Sequence, residues 1–232
     1  MMSLAVVLAI FAAQVYASPM PITGATAADG YFDVQSDGFR LVLSSSNSTL
    51  DGQVLGACHQ GAAVESLCTF FSETVEDPVR NYNTFWHNVS SAYDQPANAV
   101  DTAGVLGWLL VISDDFKVPS TMSFSPAFPA ADVADMIFSP GPAASPYTLL
   151  SFDEDDYLYV EVPCDQKDGL PEWHTAVPPA LNGPTEKLQN WYICVTQWSY
   201  RWNELVWKIG AGKPQDPTCV AVKVQRIWNP TT

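Results

Sequence analysis

Proline and other turn-forming residues divide this 232-residue chain into short segments, and this division constrains the fold more than any other feature. The chain contains 18 prolines and 13 glycines. A proline inside a helix removes a hydrogen bond and clashes with the preceding turn, so long helices are excluded over most of the chain. The segments between the turns are rich in aliphatic and aromatic residues, which is typical of short β-strands.

These segments predict a single all-β domain, built as an antiparallel β-barrel or β-sandwich with few short helices. The clearest strand patterns are 39–43, 52–58, 105–113, 157–162, 191–198, 203–210 and 219–228. The continuously apolar run at 105–113 predicts a strand that is buried on both faces. Helix signals are weak, and they favour only a short helix around 130–136 and one helical turn at 184–189.

The charge balance narrows the choice of partners. Ten basic residues stand against 25 acidic ones, which gives a formal net charge of −15 at pH 7. Binding to nucleic acid requires clustered Lys and Arg, and so does adsorption to anionic membranes. The composition therefore predicts no nucleic-acid partner and no membrane partner, while sugars, small apolar ligands and basic proteins stay open.

The first 17 residues have the pattern of a secretory signal peptide. An apolar run from Leu4 to Ala13 is followed by small residues at Val15 and Ala17, which predicts cleavage after Ala17. The run is shorter than the stretch of about 20 apolar residues that spans a membrane. We therefore expect a secreted, extracellular chain in which residues 18–232 form one β-rich domain.

Five cysteines lie in the expected mature chain, and an oxidising compartment makes disulfides the default. Cys194 pairs with Cys219 in the prediction, because the strand between them brings the two opposite each other. Cys58 pairs with Cys68 across a hairpin, which leaves Cys164 as the odd thiol. The alternative, in which Cys164 bonds to Cys58 or Cys68, stays open because spacing does not fix connectivity.

Two N-glycosylation sequons accompany the cysteines, one at Asn47 and the other at Asn88. Polar neighbours and the expected secretion make both of them predicted acceptor sites for N-linked glycan.

Recognisable catalytic, cofactor-binding and metal-binding motifs are missing from the sequence. It has no nucleophile elbow, no zinc-binding H-E-x-x-H segment and no glycine-rich phosphate loop. The acidic run 153–156 lacks the glycine and the spaced glutamate of a helix–loop–helix calcium site, so it predicts a solvated turn. A glycosidase needs two converging carboxylates, and 25 acidic residues without a known register do not single out a pair. Catalytic residues therefore stay unassigned, and no cofactor or metal is expected.

Tryptophan is concentrated in residues 191–232, which hold five of the eight tryptophans. Three of them lie within strand patterns and are expected in the core: Trp191, Trp207 and Trp228. Trp198 and Trp202 flank a predicted loop at 199–201 that contains Tyr200, and aromatic side chains on loops are free to meet a ligand. These last three are the predicted ligand-binding residues.

The C-terminal part of the sequence contains the pattern W-x-x-C, then L-x-W, then P-x-x-P-x-C, in the segments 191–194, 205–207 and 214–219. In this signature the chain resembles a family of small secreted fungal proteins of unknown function. A second match is the segment 58–63, in which Ala63 stands where such a turn more commonly has glycine. The resemblance implies a β-rich fold, secretion and a fungal source, and it implies no catalytic residues.

The predicted function is the binding of a small apolar, aromatic or glycan ligand on an aromatic-lined sheet or in a barrel cavity. One alternative is a cofactor-independent enzyme, a cyclase, isomerase or hydrolase of secondary metabolism, that positions its substrate in the same cavity. Another alternative is a cell-wall or host-interaction protein. A closed pocket with buried ionisable groups favours the enzyme, and an open aromatic surface favours glycan binding.

Overall fold

A computed structural model describes residues 32–70, 82–93, 95–96, 98–113, 115–126, 132–141, 147–163 and 185–230. These residues form one all-β domain, a curled antiparallel half-barrel, which confirms the predicted fold class. The expected signal peptide and Cys164 lie outside the described residues. Across the described residues, no helix is long and apolar enough to cross a membrane.

The described residues contain fifteen strands and one 3-10 helical turn at Ser91–Tyr93. The strands are β1 (Val34–Gln35), β2 (Phe39–Ser44), β3 (Val54–Gly61), β4 (Val64–Phe70), β5 (Trp86–Val89), β6 (Gly104–Ser113), β7 (Phe116–Pro126), β8 (Val133–Pro140), β9 (Leu149–Phe152), β10 (Leu158–Pro163), β11 (Thr185–Leu188), β12 (Trp191–Gln197), β13 (Arg201–Lys208), β14 (Val220–Ala221) and β15 (Lys223–Trp228).

Eleven strands form a continuous path in the order β11-β10-β9-β6-β7-β8-β13-β4-β3-β2-β15. β5 adds to β6 and carries β1, while β12 adds to β13 and carries β14. The sheet also branches, because β8 pairs with β13 through residues 133–135 and with β4 through residues 137–138. This junction of β4, β8 and β13 brings side chains from three strands to one place.

The curl of the sheet brings its two ends together. A bridge joins Tyr157, in the turn before β10, to Gln225 on β15. Next to it, the buried Arg226 side chain donates from Nε to Asp156 Oδ1 at 2.9 Å. The rings of Phe152 and Trp228 each lie 4.2 Å from the guanidinium carbon. An ion pair between the buried Arg226 and the partly exposed Asp156 therefore ties the turn before β10, near one end of the sheet, to β15 at the other end.

The concave side of the sheet holds the main hydrophobic core. Trp191 and Trp207 are each 1% exposed, and their rings pack edge to face with centroids 4.7 Å apart. Phe124 stacks on this pair, with its centroid 5.5 Å from that of Trp207. Trp228 is partly buried against the same core. The prediction that these strand tryptophans are core residues is confirmed.

The structure corrects two expectations about local structure. Residues 133–136, predicted to be part of a short helix, belong to β8, and residues 185–188 form β11 in place of a helical turn. Every residue from Val133 to Phe138 is buried, and a short apolar run gives no periodicity that separates strand from helix. The strand at 105–113 is buried only in its first half, since Ile112 is 57% exposed.

Both predicted disulfide pairs are bonded in the structure. Cys58 and Cys68 join β3 to β4 across a hairpin whose turn holds Ala63 at a φ of 57°. Cys194 on β12 bonds to Cys219, which directly precedes β14. The expected route for this second bond was wrong, because β14 pairs directly with β12 and not across β13. Two disulfides indicate folding in an oxidising environment.

We expect a peptide map of the unreduced protein to contain one peptide pair joined through Cys58 and Cys68 and another joined through Cys194 and Cys219. Both bonds lie between neighbouring strands, so the fold itself holds the sulfurs together. Alkylation of the folded, unreduced protein is expected to label Cys164 alone. Labelling of Cys58 or Cys68 would instead support the alternative pairing with Cys164.

Candidate functional site

The turn between β12 and β13 carries three exposed aromatic rings. Trp198 is 54% exposed, Tyr200 is 50% exposed and Trp202 is 39% exposed. The turn forms at Trp198, whose backbone N–H donates to the carbonyl of Tyr200 at 3.2 Å. We call these three residues the aromatic hairpin surface. The three residues that the sequence predicts as ligand contacts are thus all exposed on one hairpin.

The aromatic hairpin surface is fixed to the neighbouring hairpin through His59. The indole Nε1–H of Trp202 donates to the backbone carbonyl of His59 at 3.0 Å. The imidazole of His59 lies against the ring of Tyr200, with centroids 5.4 Å apart. His59 Nδ1 also contacts Glu65 at 3.2 Å. Burial raises the pKa of Glu65, and the contact with His59 offsets part of that rise. Two rings of the surface are therefore held in place before any ligand arrives.

Two buried carboxyl groups lie in the neighbouring part of the sheet, Glu204 on β13, two residues after Trp202, and Asp135 on β8, and we call them the acid pair. Asp135 is 7% exposed and Glu204 is 1% exposed. Ala134 and Leu205, their neighbours along the strands, belong to the main core, so both carboxyls point to the opposite face of the sheet. Val206 is the register partner of Asp135. Glu204 lies two residues before Val206 on β13 and therefore on the same face.

Burial shifts the proton affinity of both members of the acid pair. It raises the pKa of Glu204 to about 7, and the charge of Asp135 adds to this rise. It raises the pKa of Asp135 to about 6. A buried carboxylate that lacks a positive partner takes up a proton more readily than one in water.

Polar groups and a disulfide surround Glu204. The amide Nε2 of Gln60 donates to Glu204 Oε1 and also to Ser66 Oγ, the latter at 3.1 Å. Ser66 Oγ lies 3.0 Å from Cys58 Sγ. One oxygen of Glu204 and the sulfurs of Cys58 and Cys68 lie within 4.8 Å of one another. The two sulfurs are bonded to each other, so they offer no thiolate to a metal ion.

A further buried titratable group, His87, has a structural role. Its side chain is fully buried on β5, with Nε2 at 3.0 Å from the carbonyl oxygen of Leu150 on β9. Burial lowers the pKa of His87 to about 4. The neutral ring can therefore donate its Nε2–H to Leu150 at neutral pH, which bridges strands on either side of β6.

The acidic run 153–156 forms a turn between β9 and β10, as the sequence predicts. Asp153 Oδ1 accepts hydrogen bonds from the backbone N–H groups of Asp155 and Tyr157, at 3.1 and 2.8 Å. Glu154 and Asp155 are exposed, while Asp156 holds Arg226. Of the less exposed carboxylates of this run, Asp153 thus stabilises the turn and Asp156 pairs with Arg226.

The two sequons lie in different environments. Asn47 is in the turn after β2, where its Oδ1 accepts hydrogen bonds from the backbone and the hydroxyl of Thr49, at 3.0 and 2.7 Å. Asn88 is half-buried on β5, which is paired on both sides. Glycosylation at either position stays a prediction.

The sequence did not point to the acid pair or to Gln60. One signal was present for Asp135, which interrupts a run of apolar residues, and an isolated acid there is a candidate buried carboxyl. Glu204 follows the polar Asn203 and gives no such signal. Nothing in the sequence shows that β8 and β13 are neighbours. The pairing of these two acids therefore becomes visible only in the folded chain.

The fold and this site together define a β-domain with two disulfides, an exposed aromatic surface and a buried acid pair. Comparison with protein-family models, with curated proteins and with solved structures finds no match to the chain. The resemblance to secreted fungal proteins stays a prediction.

Proposed function

We propose that the protein binds a glycan, or a flat apolar ligand of similar size, on the aromatic hairpin surface. The observation that carries this proposal is the exposure of Trp198, Tyr200 and Trp202 on one hairpin, while Trp191 and Trp207 on the same two strands are buried. Large aromatic rings left in water are costly unless a partner covers them, and sugar rings stack on such faces.

Two further features support a glycan. Gln197, Ser199 and Arg201 are exposed on the same turn and supply hydrogen-bond donors beside the rings. The net charge of −15 disfavours polyanionic ligands and leaves neutral sugars unaffected. A glycan of a cell wall is one such ligand, which would also satisfy the cell-wall interpretation of the sequence.

Binding is better supported than acid–base catalysis. A general acid must lie within hydrogen-bond reach of its substrate. Asp135 and Glu204 have raised pKa values of the kind that catalysis uses, but at 7% and 1% exposure they offer almost no surface to a substrate.

Replacing Trp202 with alanine is expected to weaken glycan binding by about fivefold or more, because one stacked ring contributes on the order of 1 kcal/mol or more. The melting temperature should change little, since the ring is 39% exposed. A glycan array first identifies an oligosaccharide that the wild-type protein binds. Titration of each variant with that soluble oligosaccharide then measures the affinity.

The control for Trp202→Ala is Phe116→Ala, which removes another exposed aromatic ring, 53% exposed, at the start of β7. This control should leave affinity unchanged. Trp202→Phe separates stacking from the hydrogen bond to His59, because it keeps an aromatic ring and loses the donor. Equal loss of affinity in Phe116→Ala and Trp202→Ala would contradict a site at the aromatic hairpin surface.

A further inference from the structure

The acid pair lacks a compensating positive charge. In the described part of the chain, the ion pairs are His59 with Glu65, Lys187 with Asp101, Lys208 with Asp132 and Arg226 with Asp156. Asp135 and Glu204 take part in none of these, although both are more than nine-tenths buried. A buried carboxylate without a cation is strongly destabilising, so folded proteins usually pair such a group or use it to bind a metal.

A neutral oxygen beside the acid pair also lacks a partner. Gln60 is 2% exposed, and its amide end contacts Glu204 through Nε2. The buried amide oxygen Oε1 of Gln60 accepts no hydrogen bond from the described residues, and the same holds for Oδ1 of Asp135. Buried polar atoms are rarely left unsatisfied in folded proteins. The Gln60 amide contacts Glu204, and Asp135 lies on the same face of the sheet, opposite Val206. The amide oxygen and the two carboxyl groups of this cluster are therefore available as donors to a ligand that accepts electron pairs.

The chemistry of these donors selects the kind of ligand. Oxygen is the donor that hard divalent cations prefer, and Ca²⁺ takes about six to eight oxygens, some of them from water. The sulfurs of Cys58 and Cys68 are near Glu204 but are bonded to each other, which disfavours a thiophilic metal.

We propose that Asp135, Glu204 and the amide oxygen of Gln60 form a binding site for one hard divalent cation of the Ca²⁺ type. The site joins β3, β8 and β13 at the place where the sheet branches. Trp202 lies two residues before Glu204 on β13, and Gln60 follows His59, whose carbonyl accepts the Trp202 indole. The cation therefore holds the base of the aromatic hairpin surface, which goes beyond the proposed glycan binding and does not depend on it.

The test uses the oxidised full chain, stripped of metal with a chelator and then titrated separately with Ca²⁺, Mg²⁺ or Zn²⁺ at pH 8. Thermal unfolding and calorimetric titration are followed together over about 0.1 to 1 mM cation, the range of extracellular calcium modules. We expect binding of one Ca²⁺ and a rise in melting temperature of about 5 °C near saturation. No binding and no rise in the wild-type protein would overturn the proposal.

Asp135→Asn and Glu204→Gln should each abolish the rise caused by Ca²⁺. Both variants are expected to fold without metal, because they replace an uncompensated charge with an amide of the same shape. Glu154→Gln is the matched control, since it removes the same charge from the exposed acidic turn, and it should respond as the wild type does. A rise that persists in Asp135→Asn and Glu204→Gln, or one seen with Zn²⁺ alone, would place the metal elsewhere and refute the site.

Discussion

Replacing Trp207 with alanine is expected to lower the free energy of unfolding by about 3–5 kcal/mol. The side chain is 1% exposed and packs against Trp191 and Phe124 at the centre of the main core. Its Nε1 has no hydrogen-bond partner among the described residues, so the loss comes from packing and from the cavity left behind. Urea denaturation, followed by far-ultraviolet circular dichroism, measures the change.

The matched control is Trp198→Ala, which removes the same side chain from the aromatic hairpin surface. Trp198 is 54% exposed, and a substitution at such a position usually changes stability by less than about 0.5 kcal/mol. If both variants lose stability alike, Trp198 is a packing residue, and the proposed binding surface loses its main support.

Replacing Asp156 with asparagine is expected to cost about 3 kcal/mol, because it leaves the charge of Arg226 buried without a counter-charge. Arg226 is 1% exposed and lies between the rings of Phe152 and Trp228. Burial lowers the pKa of Arg226, and Asp156 offsets part of that effect. Asparagine is the suitable replacement, since Asp156 has a φ of 62° and asparagine tolerates this conformation.

Two comparisons separate the charge from the local structure. The double variant Asp156→Asn with Arg226→Met should recover much of the lost stability, because a buried pair can often be exchanged for apolar contacts. Lys187→Ala breaks an ion pair whose members are 49% and 40% exposed, and it should cost less than about 1 kcal/mol. A loss as small in Asp156→Asn as in Lys187→Ala would show that the Arg226 pair is not a strong contact.

The sequence predicted those parts of the structure that depend on local pattern. Turn residues and strand alternation gave the all-β class, and the short spacing of Cys58 and Cys68 gave the hairpin disulfide. The position of Trp198 and Trp202 around a turn predicted their exposure. Each of these inferences uses residues close together along the chain, where turn chemistry and side-chain alternation act directly.

The acid pair and the branching of the sheet could not be predicted in this way. Asp135 and Glu204 meet only because β8 pairs with β13, and strand order is set by packing over the whole domain. The helix expected around 130–136 failed for a related reason. Burial on both faces of β8 comes from tertiary structure, and it removes the alternation by which a strand is recognised in a sequence.

The pairing of β2 with β15 has a consequence for the order in which the chain acquires structure. Phe39 is the register partner of Trp228, and Ser44 is that of Lys223. One edge of β2, among the first described strands, therefore stays unpaired until β15, the last described strand, has been synthesised. While the chain emerges from the ribosome, β2 therefore has an open edge that can pair with a neighbouring nascent chain. Contacts between such distant segments form slowly. The closure of the sheet is thus the step at which folding competes with aggregation, and a chain that ends before β15 stays permanently in the vulnerable state.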